Sequence, residues 1–123
     1  MSKALETVQK FQMSMGSGTS EWENLVDNNV TFKGPVDEVK GKEAFIQLNK
    51  NFFPMVRGYE HLHSFGNDSY ASLEGTFKVA TPKGNEIELL MAEVYTIEDG
   101  KIKSIRVYYD AEEFRKEFEN LIN

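Results

Sequence analysis

From residue 58 onward the apolar residues recur at every second position, whereas before it they follow a helical spacing, and this change of period is the strongest constraint on the fold. Four strand-like runs follow, Gly58 to Phe65, Tyr70 to Ala80, Glu86 to Glu98 and Lys101 to Tyr109. The segments between them carry turn residues: Gly66-Asn67-Asp68, Thr81-Pro82-Lys83-Gly84-Asn85 and Asp99-Gly100. Asp99-Gly100 is the clearest hairpin signal, because a two-residue turn needs positive φ at both central positions. Strands joined this closely run antiparallel, since a parallel pair needs a long crossover. The second half therefore predicts a meander of long strands.

The first half predicts helices. Ala4, Leu5, Val8, Phe11 and Met15 make one amphipathic face, with Ser2 as N-cap and Gly16 and Gly18 as breakers. A second, shorter helix starts at Ser20, which forms a capping-box pair with Glu23, and presents Trp22, Leu25 and Val26 before ending at Asp27-Asn28-Asn29. A short alternating piece, Val30 to Phe32, leads to Gly34-Pro35. Gly41 then opens a third helix with Ala44, Phe45, Leu48 and Phe52 on one side, closed by Pro54. Asp110 with Glu113 caps a last helix carrying Phe114, Phe118, Leu121 and Ile122, and the acids around them read as its solvated face. With 123 residues and no repeat or linker, residues 1–123 are expected to form one domain.

Helices followed by an antiparallel sheet make an α+β fold in which the helices cover one face of the sheet. Strands of this length twist, so the sheet is expected to curl around the helices into a cone with a pocket at its open end. The uncovered convex face is a surface for a homodimer. Acids outnumber bases by 20 to 14, a net charge of −6 with no basic run, which argues against nucleic acid as a partner. Aromatic residues make up 12% of the chain, more than a disordered acidic chain carries. The absence of cysteine excludes disulfides, thiolate metal sites and cysteine nucleophiles. Neither an apolar leader nor a run of ~20 apolar residues is present, so a cytoplasmic protein with no membrane partner is expected.

One acid breaks the pattern. Ile87, Leu89, Met91, Glu93, Tyr95 and Ile97 share a strand face on which Glu93 is the only charge. A carboxylate there is costly to ionise and its pKa should rise, which makes Glu93 the leading candidate for acid/base work or ligand hydrogen bonding. The competing reading is a structural carboxylate paired with Arg106, a tyrosine or the tryptophan NH. His61 and His63 share parity with Tyr59 and Phe65, so alternation puts both on one face. If that face is inward, His63 could meet Glu93 as an imidazole–carboxylate pair; if outward, both are surface or dimer-face residues. Two histidines at i, i+2 are too few ligands for a metal, and no metal or cofactor is expected.

The N-terminal helix, Trp22, Val-Thr-Phe-Lys-Gly-Pro ending at Pro35, Val-Lys-Gly-Lys-Glu-Ala-Phe ending at Phe45, and Ile97 to Asp110 occur in an order that resembles the nuclear transport factor 2-like superfamily. The resemblance is greatest to its SnoaL-like group, related to ketosteroid isomerases, limonene epoxide hydrolases and polyketide cyclases. It spans nearly the whole chain and implies a cystatin-like cone. Three catalytic positions of these enzymes are replaced: the oxyanion-hole tyrosine by Phe11, the proton-transferring carboxylate by Gly34, and the last-strand aspartate by Val107. Glu93 falls, allowing one gap, where the isomerases keep a protonated acid. The resemblance also turns Ile105, Val107 and Tyr109 toward the pocket and Arg106, Tyr108 and Asp110 toward the convex face. Trp22, Phe32, Phe45, Phe52, Met55, Met91, Tyr95, Val107 and Tyr109 are the candidate pocket residues, with Tyr95 and Tyr109 as hydroxyl donors. The expected function is binding of a small hydrophobic molecule in the cone. The alternatives are an isomerase or cyclase using Glu93 as general acid or base, and a protein-interaction module that uses its sheet face.

Overall fold

The computed structural model of the protein describes residues 2–122, and their side chains as far as residue 118. Helix α1, Lys3–Gly16, begins where the Ser2 hydroxyl accepts the Leu5 N–H at 3.1 Å. Its buried face is Ala4, Val8, Phe11 and Ser14, and this face packs against strands of the sheet. The second helical segment is shorter than its sequence suggests. It is a 3-10 turn, Glu21–Leu25, and Ser20 makes no side-chain cap. Ser14 does that work from α1: its hydroxyl accepts the Trp22 N–H at 2.9 Å and bonds Thr19 Oγ1 at 2.6 Å.

Strand β1, Val26–Lys33, takes in Asp27 to Asn29, because Val26 and Val30 are both fully buried and hold the chain extended between them. Strand β2, Glu38–Lys40, has no apolar alternation in its sequence and was not expected. It exists because Thr31, Phe32 and Lys33 offer it an edge to pair with. Helix α2, Lys42–Phe52, ends just before a 3-10 turn, Phe53–Met55, with Pro54 near its start. Its buried residue is Phe45; Ala44, expected on the same face, is exposed.

The meander is β3 (Val56–Gly66), β4 (Tyr70–Ala80), β5 (Glu86–Glu98) and β6 (Lys101–Tyr108), as the sequence period predicts. Six strands form one open sheet in the order β2-β1-β6-β5-β4-β3. The expectation of a wholly antiparallel sheet needs one correction: β1 and β6 pair parallel. The long stretch of chain between them supplies the crossover that a parallel pair requires. The curved sheet and three helices make a cone-shaped α+β fold.

Helix α3, Glu112–Ile122, follows an Asp110 cap whose carboxylate accepts the Glu112 N–H at 3.0 Å. The side chains of Leu121 and Ile122 lie outside the described residues. Polar bonds fasten α3 on two sides. Glu117 accepts from Thr81 Oγ1 at 2.6 Å and from Asn85, while Arg115 donates to the Pro35 carbonyl at 2.8 Å.

At the β5–β6 hairpin, Asp99 (φ 54°) and Gly100 (φ 73°) both occupy the left-handed region. A side chain at the second position carries a left-handed penalty of about 1 kcal/mol. Gly100→Ala is expected to lower unfolding free energy by about that amount in urea, with an unchanged m-value.

Candidate functional site

The concave side of the sheet is only partly filled by α1. Beside the helix lies a cavity of about 420 Å³, walled by α1, α2, the inner faces of the sheet, and α3 at the mouth. Seven phenylalanines and three tyrosines are among its lining residues. Phe11 sits at its inner end, with ring centroids 5.9 Å from Trp22, 6.3 Å from Phe45 and 6.1 Å from Tyr95. Phe114 reaches the cavity from α3, stacked on Phe118 at 4.4 Å and edge-on to Tyr109.

Most of the predicted pocket residues line this space: Phe32, Phe45, Phe52, Met91, Tyr95, Val107 and Tyr109. Trp22 and Met55 do not. Trp22 is 3% exposed and stands behind the wall, edge-on to Phe53, Phe45 and Phe11. Met55 packs at the margin of the core, and Phe53 and Val56 on either side of it face the cavity instead.

Glu93 points into the cavity from the middle of β5, opposite Leu73 on β4 and Val107 on β6. The Tyr95 hydroxyl donates to its Oε2 at 3.0 Å. Glu93 is half-buried at the cavity wall, where burial pushes its pKa up to about 7, and the Tyr95 bond only partly offsets this. The Tyr95 hydroxyl is pushed well above its usual value by its own burial and then by the neighbouring carboxylate. Gln12 of α1 stands beside the hydroxyls of Tyr95 and Tyr59, so three elements meet at one polar group.

A second acid, Asp37, stands at the mouth, where partial burial raises its pKa. Its loop is tight, with Gly34 N–H donating to Asp37 O at 2.8 Å. Burial and the charge of Asp37 push Tyr109 up to about 12. Gln12, Asn49, Tyr59 and Asp37 were not among the candidates. Gln12 lies one turn after Val8 on the buried face of α1, which a helical projection would have found. Asp37 sits in a loop without periodicity, and no sequence signal marks it.

The expectation that His61 and His63 share a face is overturned by a bulge. His61 pairs with Gly75 and His63 with the next residue, Glu74, leaving Leu62 as the extra residue between them. His61 therefore stays on the inner face with Tyr59 but is exposed and outside the lining. His63 and Phe65 are turned to the outer face. His63 is exposed there and does not meet Glu93. Among the described residues no group of three or more histidines and acids is placed to hold a metal ion.

Residues 15–105, well over half of the chain, match the SnoaL-like domain. The chain belongs to the SnoaL-like family. No curated protein matches the sequence. Among solved structures, an NTF2-like protein of unknown function from Burkholderia pseudomallei is 14% identical, with TM-score 0.81 over 95% of this chain and 98% of that one. TerC, co-crystallised with polyporic acid, is 15% identical, with TM-score 0.79 over 96% of this chain and 99% of that one. A Bacillus subtilis protein provisionally assigned as an isomerase is 22% identical, with TM-score 0.76 over 95% and 93% of the two chains. At such identities the likeness is one of fold. The SnoaL-like chain has Phe11 and Val107 in the cavity wall and Gly34 in the tight turn before Asp37, so none of the three supplies a proton-transferring group.

The raised pKa of Glu93 has a stability consequence. The native state holds the Glu93 proton up to about pH 7, whereas the unfolded chain loses it near 4.5, so this group makes stability fall as pH rises between the two. Glu93→Gln removes the effect. In urea titrations it should match the parent near pH 4.5 and exceed it at pH 8, by at most about 3 kcal/mol. A gap that narrows with rising pH would contradict the assignment.

Proposed function

We propose that the protein binds a small, largely apolar molecule in the cone cavity. The observation that carries this reading is a space of about 420 Å³ with an aromatic wall and one hydrogen-bonded carboxyl group, Glu93, set into it. Ligand sites of roughly 300–1,000 Å³ with few convergent polar groups have this character. The crystallisation of the similarly folded TerC with polyporic acid supports a small-molecule role for such a cone. In this reading the protein is cytoplasmic, which its cysteine-free sequence permits.

A second reading is favoured by the placement of Glu93 in the cavity wall, where burial pushes its pKa up to about 7 and the carboxyl group can both give and take a proton at neutral pH. Here the protein is an isomerase or cyclase with Glu93 as general acid/base and Tyr95 orienting it. The B. subtilis neighbour's provisional assignment supports that class of chemistry.

We also propose that the convex face joins two copies. Leu90, Tyr108, Tyr70 and Phe65, each more than half exposed, lie on it. Charge is divided across it: Lys33, Lys40 and Arg106, with Glu38 among them, on the β2-β1-β6 half, and Glu60, Glu74, Glu86 and Glu88, with Lys78 among them, on the β5-β4-β3 half. A two-fold axis along the strands would lay each half on its opposite.

Thermal-shift screening with steroids, terpenes, polyketides, fatty acids and apolar amines is expected to raise the melting temperature with at least one class. No shift with any of them would sink the ligand-binding reading. Once a substrate is known, Glu93→Gln should retain binding and lose turnover if the protein is an enzyme. Arg106→Glu is expected to weaken the dimer by about tenfold in sedimentation equilibrium; a parent protein that sediments as a monomer would refute the dimer.

A further inference from the structure

The charge of the cavity narrows its occupant, given the ligand-binding reading on which this inference rests. Among the described residues, its lining includes two carboxyl groups, Glu93 and Asp37, and no lysine, arginine or histidine. Arg115, the cation that acts on Tyr109 at the mouth, lies outside the lining and donates to the Pro35 carbonyl. Every element packed around Glu93 repeats the pattern. β4 presents Leu73, β6 presents Val107, β3 presents Tyr59 and, in the row of Glu93, Ser64, α1 presents Gln12, and β5 itself presents Tyr95, while His61 of β3 is exposed outside the lining. None of the groups presented can serve as a counter-ion.

The remaining polar groups of the lining, Gln12, Asn49 and the three tyrosine hydroxyls, are neutral and can accept as well as donate. Asn49 donates one amide N–H to the Phe45 carbonyl, which leaves its second N–H and its side-chain oxygen. An ionised Glu93 accepts only, and the faces of the aromatic rings carry the negative end of their quadrupole. An anionic guest would meet two acids and no cation. A hydrocarbon guest would leave the carboxyl idle.

We propose that the cavity takes an apolar amine, bound as its cation, with the ammonium on Glu93 and the hydrocarbon portion against the aromatic wall. The ammonium supplies the partner that the protein withholds from this carboxylate, and the rings add cation–π attraction. The net charge of −6 draws cations toward the surface. Because the empty site keeps Glu93 partly protonated at neutral pH, entry of the cation expels that proton to solvent. A neutral guest that accepts a hydrogen bond from protonated Glu93 would do the reverse, taking up a proton as it binds, so the two classes differ in sign.

Three probes of one shape separate these cases: 1-naphthylmethylamine, 1-naphthalenemethanol and 1-naphthoic acid, titrated by calorimetry into the full-length protein. At pH 8 the amine should bind about tenfold more tightly than the alcohol, and the acid should bind more weakly than either. Amine affinity should rise about tenfold from pH 6 to pH 8, with net proton release measured in buffers of different ionisation enthalpy. Glu93→Gln should abolish the amine preference and the proton release while alcohol binding persists; Asp37→Asn, at the mouth, should weaken amine binding less and keep the proton release. Alcohol binding as tight as amine binding, or proton uptake with the amine, would overturn the inference and leave the ligand-binding reading standing. Loss of the preference in Asp37→Asn alone would overturn the placement at Glu93. Failure of all three probes to bind would count against both readings. The proton count on the unaltered protein decides the matter even if a variant does not fold.

Discussion

The fold rests on the seating of α1 in the concave face of the sheet. A curved sheet of long strands has more apolar surface on its inner side than it can bury against itself, and the helix supplies the missing partner. Phe11 is the centre of this contact, touching the 3-10 turn through Trp22, α2 through Phe45 and β5 through Tyr95. One helix does not fill the cone, however. The space left beside it is the cavity, so the interaction that stabilises the protein also defines its site.

That arrangement explains how an acid survives inside. Glu93 is held at the cavity wall by a strand register that gives it no freedom to turn outward. Its relief is a proton, a tyrosine hydroxyl and an opening toward the cavity. Phe11, Gly34 and Val107 carry no group that could share the proton. Val107 faces Glu93 directly across the β5–β6 pair. The protein thus keeps the cone of its SnoaL-like relatives with a single acid at its floor and a second, Asp37, at its rim.

The meander was legible because alternation reports burial directly: Ile87, Leu89, Met91, Tyr95 and Ile97 are all buried, and the outlier, Glu93, was visible against them. The helices α1 and α3 were legible through their caps at Ser2 and Asp110. What sequence could not give depends on partners distant in the chain. β2 pairs because β1 is there, β1 lies parallel to β6 only through a long crossover, and Asp27 to Asn29 join a strand despite their turn-forming character. At the site, Trp22 had the composition of a pocket residue, but Phe11, Phe45 and Phe53 cover it from the cavity side.

The bulge at Leu62 carries a meaning for how such cones differ from one another. If the last part of β3 paired without it, His63 would stand opposite Leu73, in the row that continues through Glu93 to Val107. The imidazole is kept out of that row by one residue of slack in an edge strand, a displacement of about 3.3 Å along the chain. Whether this cone holds an isolated acid or an acid beside a base is then a matter of strand register.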